Sequence, residues 1–272
     1  MSISWSKATL AVVTAALAAV TFAQVPGDLV VTPTRVLLDD KSRSGDITLV
    51  NRSSQTVRYR LSLIDMQMSE DGMLIRGPNN DNSAAGILRL SPREIVLEPG
   101  VSQRIKIAAF FPNGMADREL RSHLQFEPIS APRSRPVDPG NAFRLSLDVR
   151  SIVTIPVIVQ HGRLFAESSI TNPQLLTDAM GTELRFKLER NGTRSIRGDV
   201  DVVFNPEKGG RKVVLGHIDG LPVYYPNADR IVSMRLKQDV RSLGKGDIEI
   251  CFVELERSRG AAVAKAAIQL GG

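Results

Sequence analysis

The chain has 272 residues, of which 42% are hydrophobic, 24% charged and only 5% aromatic, with one cysteine and a net charge of +6 at neutral pH. Ordinary apolar content and nearly balanced charge exclude a disordered chain. No apolar run reaches the roughly 20 residues a spanning helix requires, which excludes a polytopic membrane protein.

Residues 1–23 read as a removable export signal. Lys7 supplies a positive start, residues 8–20 an apolar run, and Thr21-Phe22-Ala23 closes on the small residue a signal peptidase favours. Removal would leave 249 residues and a charge of +5, a length that predicts two domains of ordinary size. The lone Cys251 then predicts an exported protein without an internal disulfide, each domain resting on its apolar core. Cys251 sits in the strand-like run Ile248-Glu249-Ile250-Cys251-Phe252-Val253, where a buried, inert thiol is expected. Lysines and arginines alternate with apolar residues instead of clustering, so they read as solvated strand faces and argue against a nucleic-acid partner.

Beyond the leader, apolar residues recur with period two and never at helical spacing over a long window. Strands are predicted at 29–38, 46–51, 57–66, 103–110 and 123–129, separated by turn chemistry. Turns fall at Asp40-Lys41-Ser42, Asn51-Arg52-Ser53-Ser54, Glu70-Asp71-Gly72 and Glu98-Pro99-Gly100, the last suited to a type II turn. The Asn-rich stretch 77–86 reads as an exposed loop. Residues 130–141 hold Pro132, Pro136 and Pro139 and cannot form a ladder. After a short joint at Gln160-His161-Gly162, strands are predicted at 183–188, 198–204, 212–215, 231–236, 247–255 and 262–270. The rhythm predicts an all-β protein of two β-sandwiches, occupying 24–160 and 161–272, and the short joint sets them at a fixed angle.

Residues 143–159 break the rhythm. Every odd position except Ser151 is apolar: Phe143, Leu145, Leu147, Val149, Val153, Ile155, Val157 and Val159. Seventeen alternating residues would span more than about 50 Å, beyond what one small sandwich covers. Two readings fit. Either two consecutive strands divide at Ser151 or Pro156, or one strand projects its apolar face towards a partner.

Several motifs bear on that choice: Thr34-Arg35-Val36 and Thr48-Leu49-Val50-Asn51; Arg89-Leu90-Ser91-Pro92 with Leu97-Glu98-Pro99-Gly100-Val101-Ser102-Gln103; Arg118-Glu119-Leu120-Arg121-Ser122-His123-Leu124; and Ile155-Pro156-Val157-Ile158-Val159 before His161-Gly162. Together they resemble the PapD-like periplasmic pilus and fimbrial assembly chaperones, most closely the archaic or alternate chaperone–usher branch. The resemblance covers residues 28–162. It continues more loosely through Leu188-Glu189-Arg190-Asn191-Gly192-Thr193-Arg194-Ser195 and Gly198-Asp199-Val200.

The resemblance implies a periplasmic chaperone of two immunoglobulin-like β-sandwich domains that lends the last strand of its first domain to a subunit lacking its own final strand, then delivers that subunit to an outer-membrane usher. Backbone pairing satisfies the subunit's open edge while alternate side chains fill its groove. Phe143, Leu145, Leu147 and Val149 would be the donor residues, and self-association could hide them. The family grips the subunit's terminal carboxylate with an arginine and a lysine. Arg35 matches the arginine, the lysine is missing, and Arg150 is either its substitute or a plain surface residue. Glu119 matches the acidic member of an interdomain network, although the family's arginine partner is not evident near Thr154 and Pro156.

Enzyme readings find no support in the residues. His123, His161 and His217 are far apart and read as surface or strand residues, no Gly-x-Ser-x-Gly elbow occurs, and Gly209-Gly210 reads as a hairpin turn and not a phosphate loop. Neither cofactor nor metal is expected. The competing class is a structural or adhesive component of a surface appendage or matrix, in which the last strand of the first domain is paired internally.

Overall fold

The computed structural model describes residues 29–78, 80–129, 151–255 and 263–271. The export signal, Phe143, Leu145, Leu147, Val149 and Arg150 lie outside the described residues. Among the described residues, no helix is long and apolar enough to cross a membrane.

The first sandwich packs two sheets. One has the order β1 (Leu29–Thr32), β3 (Ser44–Asn51), β9 (Ser102–Ala109), β7 (Leu88–Ser91); the other β2 (Val36–Leu38), β11 (Val153–His161), β10 (Arg118–Ile129), β4 (Val57–Ile64), β8 (Glu94–Leu97). The opening run thus switches sheets between β1 and β2. β2 lies parallel to β11, from Val36 opposite Val157 to Leu38 opposite Val159, while the other pairings are antiparallel. This sheet-switching first strand, paired in parallel with the last, makes the sandwich immunoglobulin-like. Its core is the inward residue of each alternating pair, including Ile47, Leu49, Leu97, Ile105, Ile107, Leu124 and Phe126.

The second sandwich joins β12 (Ala166–Asp178), β13 (Gly181–Gly192) and β16 (Asp229–Arg235) to a sheet of order β15 (Val213–Val223), β14 (Ile196–Pro206), β17 (Gly246–Glu254), β18 (Val263–Leu270). Phe186, Phe204 and Phe252 fill its centre. Burial of each such aromatic side chain contributes about 1.5–3 kcal/mol, and no disulfide supplements it among the described residues.

Several expectations change. The predicted strand at 29–38 is two strands, with Pro33 in the break, because proline supplies no ladder donor. Pro156 does not divide β11, which runs through it. Pairing with β2 begins only at Val157, and an open side is where a strand accepts proline. Cys251 is half-exposed, not buried: it lies on the outer face of β17, opposite Asp201 and Lys265, while Ile250 and Phe252 point inward. The hairpin of β5 (Met66–Met68) and β6 (Leu74–Arg76), the four-residue strands β7 and β8, and the long strand β12 were not predicted. β12 carries a bulge between Thr171 and Gln174 with Asn172 at φ 51°, which interrupts any alternation. The 98–100 turn follows expectation, with Gly100 at φ 73° and the Val101 amide donating to Glu98 O at 3.1 Å.

The chain turns from one sandwich into the other at His161-Gly162-Arg163, and carboxylates from the first sandwich clasp this elbow. Asp40 Oδ1 meets His161 Nδ1 at 2.6 Å, and Asp40 Oδ2 accepts the Gly162 amide at 2.9 Å. Asp117 Oδ2 accepts the Arg163 amide at 2.9 Å. The Gly162 amide, then His161, hold the Asp40 carboxyl below the usual carboxylate range. Phe111 stacks on the His161 ring at 5.1 Å. Gly162 has φ +76°, and a Cβ there would stand 1.9 Å from Asp117 Oδ1. Gly162→Ala should therefore lower unfolding free energy by about 1–3 kcal/mol, measured by urea denaturation, through left-handed backbone strain and displacement of Asp117.

Candidate functional site

β10 is the strand from which the site is built. Its even residues Leu120, Leu124 and Phe126 enter the first core, so alternation turns Glu119, Arg121, His123 and Gln125 to the opposite face. In an isolated sandwich that polar face would meet water. Here Glu119 is 2%, Arg121 2% and His123 1% exposed, because the second sandwich covers them. Ile158 of β11, between Val157 and Val159 of the first core, belongs to the second domain's apolar cluster.

Glu119 is the best-satisfied of these groups. Its Oε2 accepts from Gln160 Nε2 at 2.9 Å and from the Ser195 amide at 3.0 Å, and its Oε1 accepts from Ser195 Oγ. Ser195 Oγ in turn accepts the Tyr225 amide at 2.9 Å. The network partner on the last strand of the first domain is therefore Gln160, which lies opposite Glu119 in the ladder; Pro156 lies opposite His123 instead. Ser195 is presented by the 188–195 segment. Arg194 Nη1 donates to Ser195 O at 3.0 Å and pairs with buried Glu254. Arg190 ties the segment down by donating to the carbonyls of Gly192, Arg194 and Asn227 at 2.7, 3.1 and 2.8 Å.

Arg121 lies over the Tyr224 ring at 4.2 Å and donates to Met66 O at 3.0 Å. Burial lowers its pKa, with Tyr224, Glu119 and Asp65 opposing the change and Arg35 adding to it. Arg35, half-buried, precedes β2 at the point where β2 begins to pair with β11. It is therefore brought within electrostatic reach of Arg121, a residue that sequence reasoning did not select. The one available signal was the mixed-polarity odd positions of the Arg118–Leu124 motif, which alternation alone reads as a solvated face. Of the two expectations for His123, a surface or a strand residue, the structure gives the strand residue, buried.

The hairpin makes a further tie. Met68 is 5% exposed within the second domain's cluster, Asn227 Nδ2 donates to Met68 O at 2.9 Å, and the Ile231 amide donates to Glu70 O at 2.7 Å. Elbow, Glu119 network and hairpin hold the two sandwiches at one angle. Among the described residues no group of three or more His, Cys, Asp or Glu could hold a metal ion.

No protein-family model matches the chain, and no curated protein matches it by sequence. Among solved structures it is similar to the Pseudomonas aeruginosa CupB2 chaperone, at 14% identity and TM-score 0.44 over 88% of this chain and 100% of that one. It is also similar to a chain of the Salmonella enterica SafA pilin–SafB chaperone complex, at 13% and 0.47 over 90% and 99%. A third similarity is to a chain of the Acinetobacter baumannii CsuC–CsuE chaperone–tip adhesion subunit pre-assembly complex, at 11% and 0.45 over 89% and 98%. Likeness at this level decides neither activity nor partner.

Removing the Glu119 carboxylate would leave the Ser195 amide and hydroxyl buried without their acceptor. Glu119→Ala should cost about 2–4 kcal/mol and uncouple the unfolding of the two domains, seen by calorimetry as two transitions replacing one.

Proposed function

We propose that this chain is an exported, periplasmic chaperone of pilus or fimbrial subunits, which binds a subunit by lending it residues 143–149 as a strand. The observation that supports this most strongly is the bare stretch of β11. Its ladder with β10 runs from His161 back to Val153 opposite Phe126, while β2 flanks it only from Val157 onward. Among the described residues, the β2 side of β11 is therefore open from Val153 to Pro156, and the apolar alternation lies directly upstream.

Phe143, Leu145, Leu147 and Val149 are in this reading left to a second chain. Each contributes about 1.5–3 kcal/mol in a fitted pocket, less the ordering of the segment. A strand laid along the bare side of β11 ends where β2 begins, beside Arg35, so a terminal carboxylate meets that guanidinium. Arg121 adds positive field to the same place. Arg150, six residues before Pro156 in the sequence, is the other candidate for the same carboxylate. Delivery to an outer-membrane usher, and self-association of the free chaperone through the same strand, complete the proposal.

Co-purification with a pilus subunit that lacks its own final strand tests it. Leu145→Glu with Leu147→Glu should abolish capture while the circular dichroism and thermal midpoint of the free chain stay unchanged. Arg35→Ala should weaken capture by about 1.5–3 kcal/mol, the contribution of a charged hydrogen bond. Undiminished capture by the double variant contradicts the donor role. Loss of capture by that variant with full capture by Arg35→Ala retains the donor strand and rejects the carboxylate site.

A further inference from the structure

His123 is a buried base for which the chaperone reading has no use. It is 1% exposed, and among the described residues neither ring nitrogen has a hydrogen-bond partner. Its ring meets Tyr224 of the second domain edge-on, with centroids 6.4 Å apart and planes at 89°. The other elements around it offer no compensation. Pro156 of β11 and Ile64 of β4 flank it in the sheet. On its own strand stand Arg121, already stacked on Tyr224, and Glu119, already committed to Gln160 and Ser195. Asp65, following β4, accepts from Ser122 Oγ at 2.7 Å, and Arg35 adds a further positive charge on the Arg121 side.

We propose that His123 is an acid-triggered spacer between the two sandwiches: neutral, it lets Tyr224 seat against β10, and protonated, it parts the domains there while each stays folded. A charged imidazolium would be enclosed with no acceptor, beside a guanidinium, on a face that only the second domain shields from water. Separating the domains hydrates it without breaking either core, because the face it occupies lies outside both sheets' inner surfaces.

Burial first, and Arg121 second, lower the His123 pKa from 6.5 to about 4, with Asp65 opposing. The closed arrangement thus binds fewer protons than the open one. Its advantage from this group is complete above pH 6.5 and declines as the pH falls through the interval down to about 4. Over that interval the closed-to-open ratio should fall by up to about 300-fold.

Small-angle X-ray scattering of the full chain between pH 7 and pH 4, with far-UV circular dichroism alongside, tests this. The unaltered chain should expand with its strand signal retained, and His123→Phe, which keeps an apolar ring against Tyr224, should keep constant dimensions. The His123 ring resonances of the unaltered chain provide a second measurement that needs no variant, and they should titrate with the same midpoint as the expansion. Constant dimensions in the unaltered chain, the same expansion in His123→Phe, a separate His123 midpoint, or loss of the strand signal together with the expansion would each overturn the proposal.

Discussion

The structure depends on one constraint: β10 is buried on both faces. A strand in a sandwich ordinarily turns one face to its core and the other to water. β10 places Leu120, Leu124 and Phe126 in the first core, and its opposite row, Glu119, Arg121 and His123, beneath the second domain. Buried polar groups carry a desolvation penalty unless they are paired. The Glu119 carboxylate is paired by Gln160 and Ser195, so its satisfaction requires the second domain to be in place. The angle between the sandwiches follows from this requirement, reinforced by the Asp40 and Asp117 clasp at the elbow and by the hairpin that inserts Met68.

Fixing the angle also fixes where the first domain is open. Among the described residues, β11 has no neighbour on its β2 side before Val157, and Arg35 stands at that boundary. The proposed function uses this rigid frame, the open strand side and the cation at its end. In the proposed function, polar burial at the interface sets the geometry and the apolar alternation upstream supplies the adhesion.

Much of the fold was legible in the sequence. Period-two alternation with Gly, Pro and Asn punctuation identified most strands, and Pro99-Gly100 gave its turn. What escaped had weak or broken signals. β12 is interrupted by its bulge at Asn172 and Pro173. The hairpin strands are three residues each, too short to show a period. Pro33 and Pro156 had opposite outcomes, because proline is tolerated or not according to which side of the strand needs its N–H, and pairing is not written locally. Of the site, Arg35 and Glu119 were reached through motifs and His123 only as a surface or strand residue, while Arg121, Gln160 and Ser195 were given no role. A polar row on an alternating strand looks the same whether water or a second domain covers it.

The central claim is that residues 143–149 are held for another chain. Amide hydrogen exchange across this segment, in monomeric protein alone and after addition of a pilus subunit lacking its final strand, tests it most directly. The account predicts rapid exchange in the free monomer and strong, alternating protection in the complex. Protection already complete in the monomer, and unchanged by the subunit, would contradict it.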